Sequence, residues 1–323
     1  MIELQRSIAD KLPRQDHKSL LNREWRYIKH HYQLLVLFVP AFILIFLVCY
    51  MPMFGLVIAF KNFRVDLGIF GSEWAGFKNF EFFFKSSDAW RLTRNTIGYN
   101  MLFIVLGTSF SVILAIFLNE VSKGWFKLYQ SVLFFPYFLS WVVIGYLGLS
   151  LLDSSYGIVN QALTSLGVER VNWYNDPTYW PFIIVFSWLW KFVGFNTLLY
   201  YTGIMGINKE YYEAASIDGA SRFRMAWSIT VPLLKPLIII LFILALGNIF
   251  RGDFGLHYFM PNQSGILNST VDVLDTYSFR ALRQLGDVGM SSAVTFFQSV
   301  VGLVTVVTAN WVIRKIDRDS GLF

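Results

Sequence analysis

The residues able to do chemistry in this chain are few, and most stand among apolar neighbours. Lys191 interrupts an otherwise uncharged run from Pro177 to Asn208, with Trp188, Trp190, Phe192, Phe195 and Asn196 close by. Asn248, Arg251 and Asp253 stand at the end of another apolar run. An ammonium inside such a run is costly unless it faces protein or water. Aromatic faces stack on the C–H faces of sugar rings, while amides and charges hydrogen-bond hydroxyls. Trp188, Lys191, Phe195, Asn196, Asn248, Arg251 and Asp253 therefore form a candidate surface for a polyhydroxylated solute. Two structural alternatives stand beside it: Lys191 bonded to a backbone carbonyl or to an acid of another chain, and a local Arg251–Asp253 pair.

Catalytic patterns are missing from the sequence. His17, His30, His31 and His257 are scattered and lack metal-ligand spacing. There is no Gly-rich phosphate loop ending in Gly-Lys-Ser/Thr and no Ser nucleophile elbow. The single cysteine, Cys49, lies inside an apolar run and reads as a small filler. The expectation is a protein that is not an enzyme and holds no cofactor of its own.

Hydrophobic residues make up 55% of the 323, charged residues only 15%, and the mean hydropathy is +0.50. A soluble domain carries roughly 25% charged residues, so this chain belongs in lipid. Six apolar windows follow: 30–60, 95–119, 128–152, 177–208, 231–250 and 288–313. Each is close to or above the roughly 20 residues that cross a bilayer. The net charge of +6 is read by position and gives no reason to expect nucleic acid. Fifteen Lys and Arg fall in the amino-terminal segment, the second and fourth loops and the carboxyl tail, against ten on the other side. That bias and the even number of spans place both termini in the cytoplasm, with 61–94, 153–176 and 251–287 outside. The chain divides into a tail or interfacial helix (1–29), a six-span domain (30–313) and a cytoplasmic tail (314–323). Trp25 and Tyr27 beside Arg23, Arg26 and Lys29 suit a helix at the lipid headgroups.

Pro40 and Pro52 predict a kink or break in the first window near Tyr50. The segment 61–94 carries nine Phe and Trp residues, a density that predicts an ordered lid packed on the helices. Segment 153–176 is expected to cap or re-enter the bundle, and Trp173, Tyr174, Tyr179 and Trp180 to form an aromatic belt.

One polar stretch is too long to be a mere connection. Glu213-Ala214-Ala215-Ser216-Ile217-Asp218-Gly219-Ala220, continuing to Ile229-Thr230-Val231-Pro232, has helix-forming composition around a central Gly. A short helix, a Gly bend and a second short helix make an L-shaped knob. The string resembles the Glu-Ala-Ala loop of membrane subunits of ATP-binding-cassette importers, with Val231 where that pattern has Leu. Tyr50-Met51-Pro52-Met53-Phe54-Gly55 with Ala59-Phe60-Lys61, and Asp272-Val273-Leu274-Asp275-Thr276-Tyr277, resemble permeases for complex or polymer-derived saccharides.

That resemblance implies an all-α membrane protein with six transmembrane helices, the type I importer permease fold and a cytoplasmic coupling helix within 208–232. It implies an oligosaccharide substrate, an external binding protein and a second, related permease. A separate ATPase dimer would bind ATP and Mg. In that scheme Glu213 contacts the ATPase, Ala214 and Ala215 allow close packing, Gly219 makes the bend, and Pro232 starts span five. The rival reading is an ion-coupled secondary sugar transporter, which should carry Asp or Glu inside its spans and often an internal repeat, neither of which stands out here.

Overall fold

The structure is a computed structural model that describes residues 30–317 and 321; the expectations for 1–29 lie outside the described residues. Among these, residues up to Val57 and residues from Ile58 onward form two compact units. In the first unit, Tyr32–Ile45 is α-helical through Pro40, Phe46–Tyr50 is a π turn, and tighter 3-10 geometry begins at Met51. Pro52 has no N–H and its ring crowds the carbonyl four residues back, so the helix changes its hydrogen-bond pattern just ahead of it. The expected break is thus a change of winding.

The second unit holds four uninterrupted helices long and apolar enough to cross a membrane: Ser87–Glu120, Pro177–Met205, Arg222–Leu246 and Val288–Ile316. With Tyr32–Phe60 they make five among the described residues, and six when a broken pair is added. That pair departs from the expected single span over 128–152: Gly124–Phe138 and Trp141–Leu151 meet at 96°. Pro136 lies in a 3-10 turn, Leu139 is extended, and Ser140 caps the new helix by accepting from the Val143 N–H at 3.3 Å. Span five likewise begins earlier than expected, at Arg222, and passes through a π turn at Ala226–Thr230. Pro232 follows this π turn as Pro52 follows the other. It does not open the span.

Segment 251–287 is a packed part of the core. Short helices Phe254–Phe259, Asn268–Val271 and Leu274–Arg280, with the residues that flank them, bury Leu256, Leu267, Val271 and Val273 against Tyr99, Phe103, Ile144, Trp180 and Ile184 of spans two, three and four. Each such burial contributes about 1.5–3 kcal/mol. Two carboxylates fasten the segment. Asp253 accepts from Trp141 Nε1 at 3.0 Å and from the Leu256 N–H; Asp275 accepts from the Gly252 N–H at 2.5 Å and from Gln298 Nε2 at 2.9 Å. Burial pushes both carboxyls up from the usual range, against these hydrogen bonds.

His257 is fully enclosed in the same segment, and burial lowers its pKa from 6.5 to about 4. A depressed histidine binds its proton first in the unfolded chain, so its contribution is intact above pH about 6.5 and is lost as the pH falls towards 4. The loss reaches roughly 3 kcal/mol. Thermal midpoints of the purified protein across that range should fall less steeply for His257→Gln than for the wild type. Parallel curves would mean that His257 is not the group titrating.

The aromatic segment 61–94 is ordered, as its composition predicts. An antiparallel pair joins Lys61–Asn62 to Glu73–Trp74, and Phe80 packs with Phe60 and Phe296 of span six. Phe70 stays almost wholly exposed. In segment 153–176 the buried Asn160 amide ties Asp153 O, Val171 and Trp173 together. Trp180 departs from the expected belt: it is completely buried and donates Nε1 to Trp173 O at 2.6 Å.

Candidate functional site

Two places carry the functional candidates: the knob at 208–232 and the face shared by spans two, four and five. The knob is a helix, Glu210–Ile217, closed by a tight reverse turn. Ala220 N–H reaches Ala215 O at 2.9 Å and Gly219 N–H reaches Ser216 O at 3.1 Å, the double bond pattern of a Schellman motif. That motif needs a left-handed residue after the helix, and Gly219 sits there at φ +75° with open space around it. Ser221 then caps the next helix by accepting from the Arg224 N–H.

Glu213, Ala214, Ser216, Ile217 and Asp218 are exposed, while Ala215 and Ala220 are half-buried beneath them. Ile217 is 87% exposed, and Phe223 and Trp227 on the following helix are also open. An apolar tip rimmed by acids is a surface shaped for a partner protein.

The knob is joined to the spans at two points. Arg222 meets Glu120, at the end of span two, at 2.6 Å. Both side chains are substantially exposed, so this pair contributes only about 0–1 kcal/mol. The hydroxyls of Tyr212 and the buried Thr230 lie 2.8 Å apart. These four residues border a cavity of about 220 Å³ under the knob.

The seven polar and aromatic candidates divide. Trp188, Asn196 and Asn248 line one cavity of about 260 Å³ between spans two, four and five. The side-chain amides of Asn196 and Asn248 make no hydrogen bond among the described residues, so they are open to a ligand. Trp188 lies parallel to Phe103 with ring centres 4.6 Å apart, which leaves only part of its surface for another ring. Asn100, Thr108 and Tyr200 complete the polar lining and were not among the sequence candidates. The available signal was spacing: Asn100, Ile104 and Thr108 fall on one helical face.

Lys191, Phe195, Arg251 and Asp253 do not line that cavity. Lys191 is buried and donates to the carbonyls of Tyr137, at 2.9 Å, and Leu139. Pro136 and the bend leave carbonyls at the end of the first arm without helical partners, and the ammonium supplies the missing donors. The rings of Trp141 and Phe192 lie 5.4 and 5.6 Å from it. Phe195 stacks on Tyr137 at 4.4 Å. Arg251 donates to Ser299 at 3.1 Å and forms no ion pair with Asp253. Replacing Lys191 with Met should therefore cost about 1–3 kcal/mol for each carbonyl left unpaired. The thermal midpoint in detergent should drop while the KM for uptake holds; a raised KM at unchanged stability would place Lys191 on the solute path instead.

Comparison with known proteins bears on the family of the chain. The family model described as the binding-protein-dependent transport system inner membrane component matches residues 104–318, which include the knob. Protein LplB of Bacillus subtilis is 34% identical over 297 residues, 92% of each chain. The polygalacturonan/rhamnogalacturonan transport system permease protein YteP of the same organism is 32% identical over 89% of each chain. A bacterial ABC transporter involved in the import of the acidic polysaccharide alginate matches at TM-score 0.82 and 33% identity, over 91% of this chain and 99% of that one. A long polar knob between two spans, a fold shared with an importer subunit and a family match over two thirds of the sequence lead to one conclusion: this chain belongs to the inner membrane component family of binding-protein-dependent transport systems, and is a permease of the ATP-binding-cassette type.

Proposed function

We propose that the chain is the membrane-spanning subunit of an importer that moves an oligosaccharide, received from an external binding protein, and is driven by a separate ATPase. The observation that carries this reading is the exposed knob held against the ends of spans two and five. A partner closing on ATP and gripping Glu213, Ala214 and Ile217 would pull on those spans directly. Residues 208–232 and both termini then lie on the cytoplasmic side, and segment 251–287 on the exterior. ATP and Mg stay with the ATPase, and a second, related permease completes the pathway.

The saccharide reading rests on the cavity of Trp188, Asn196 and Asn248, whose free amides suit hydroxyls, and on the names of the relatives. The alginate neighbour, solved with a pentasaccharide-bound periplasmic protein, supports the binding-protein partner. Reconstitution in liposomes with the ATPase, the second permease and the binding protein tests the whole scheme. Oligosaccharide should enter only when ATP and the binding protein are both supplied. Uptake driven by a proton or sodium gradient alone would overturn it in favour of a secondary transporter.

A further inference from the structure

Segment 251–287 encloses a further polar cavity, of about 190 Å³, which shares no lining residue with the cavity between the spans. Its wall brings together Arg280, Arg283, Gln263, Asn268, Gln284 and the ring of Tyr258. The charges are unbalanced. Arg280 is committed to Asp272, which also accepts from Thr276 Oγ1 at 2.5 Å. The Arg283 side chain makes neither an ion pair nor a hydrogen bond among the described residues, so one guanidinium charge at the wall is uncompensated.

A guanidinium presents a planar fork that matches a carboxylate with two parallel hydrogen bonds. Beside it, the amides of Gln263, Gln284 and Asn268 can both donate and accept. His257 borders the same wall: Nδ1 lies 2.7 Å from Val271 O and must carry the proton, and the buried Nε2 has no partner. Asn262 and Gln263 both hold left-handed backbone, at φ 50° and 56°, uncommon for residues other than Gly and frequent at ligand clamps. The volume is below the roughly 300–1,000 Å³ of drug-sized pockets and suits one sugar ring.

We propose that this cavity binds one carboxylate-bearing sugar residue of a saccharide chain, with Arg283 taking the carboxylate through its fork and the neighbouring amides taking ring hydroxyls. The site deepens the saccharide reading, on which it rests, by naming an acidic substrate class. It also lies apart from the path between the spans. On the exterior face, it would hold one residue of an incoming chain while its neighbours approach the path.

Calorimetric titration of the purified transporter complex, without binding protein, tests the site. The probes are trigalacturonate and its methyl ester, which has the same shape without the charge. The acid should bind at least tenfold more tightly than the ester. Arg283→Gln should bring the two within twofold and leave the ester unchanged, and Arg283→Lys should keep part of the preference. Arg283 is exposed, so neither variant threatens folding. Equal binding of acid and ester by the wild type, or a preference that survives Arg283→Gln, overturns the site but leaves the importer reading standing. A variant that loses only docking of the binding protein assigns the cavity to a protein contact and also overturns it. ATP-driven uptake of some other solute class, with no sugar bound or carried, would defeat the saccharide reading itself.

Discussion

Gly194→Val should abolish accumulation of the folded permease. A Cβ at Gly194 would stand 1.7 Å from Leu133 O and 2.5 Å from its carbonyl carbon. Both are backbone atoms of the first arm of the broken span, so no side chain can swing away. Ordinary overpacking costs about 1–3 kcal/mol; here two helices must separate, and the Lys191 bonds to Tyr137 and Leu139 go with them. Gly98→Val in span two, where an added Cβ meets nothing within 4 Å, is the matched control. Membrane yield and size-exclusion profile provide the measurement. A Gly194→Val protein with wild-type yield and thermal midpoint would mean that this crossing is not the tight contact described.

Variants of the knob should uncouple transport without unfolding the spans. A Cβ added at Gly219 meets nothing within 4 Å, so the cost expected for Gly219→Val is that of the left-handed backbone, about 1–3 kcal/mol for a residue other than Gly. At 1.4 kcal/mol per tenfold, that depopulates the closed turn by about 5- to 150-fold. ATP-driven uptake should fall more than tenfold, and Gly219→Asn, which tolerates the left-handed region, should retain most of it. Glu213→Lys reverses a charge on an exposed face and should reduce copurifying ATPase while the thermal midpoint holds. Normal uptake and normal ATPase retention in both variants would remove the knob from the mechanism.

The knob was legible in the sequence because every bond that shapes it is local: Gly219 answers to Ser216, Ala220 to Ala215, and Arg224 to Ser221. The apolar windows were equally readable, since span length and missing charge need no knowledge of neighbours. Direction was not. Hydropathy sees an unbroken run through Pro136, and the 96° turn there depends on Lys191, more than 50 residues away, supplying donors to the exposed carbonyls. For the same reason Lys191 read equally as a sugar ligand or as a donor to a backbone carbonyl, and its bonds to Tyr137 O and Leu139 O match the second reading. Segment 251–287 read as a loop because helices of six, four and seven residues are too short to show a period. Its buried face becomes visible only once spans two, three and four supply the other half of the core. Trp188, Asn196 and Asn248 converge across two spans, and Asn100 and Thr108 from a third were missed because uncharged polar residues on a long helix raise no alarm.

The pinned corner at Pro136 has a mechanical consequence. An ammonium that bonds both Tyr137 and Leu139 must be released before the two arms can straighten, so the bend behaves as a fixed bracket and not as a pivot. Whatever tilting carries a solute through must move span four and both arms together as a wedge. Compliance is then left to the short connectors at 152–157 and 206–209, where labels for distance measurements should be placed.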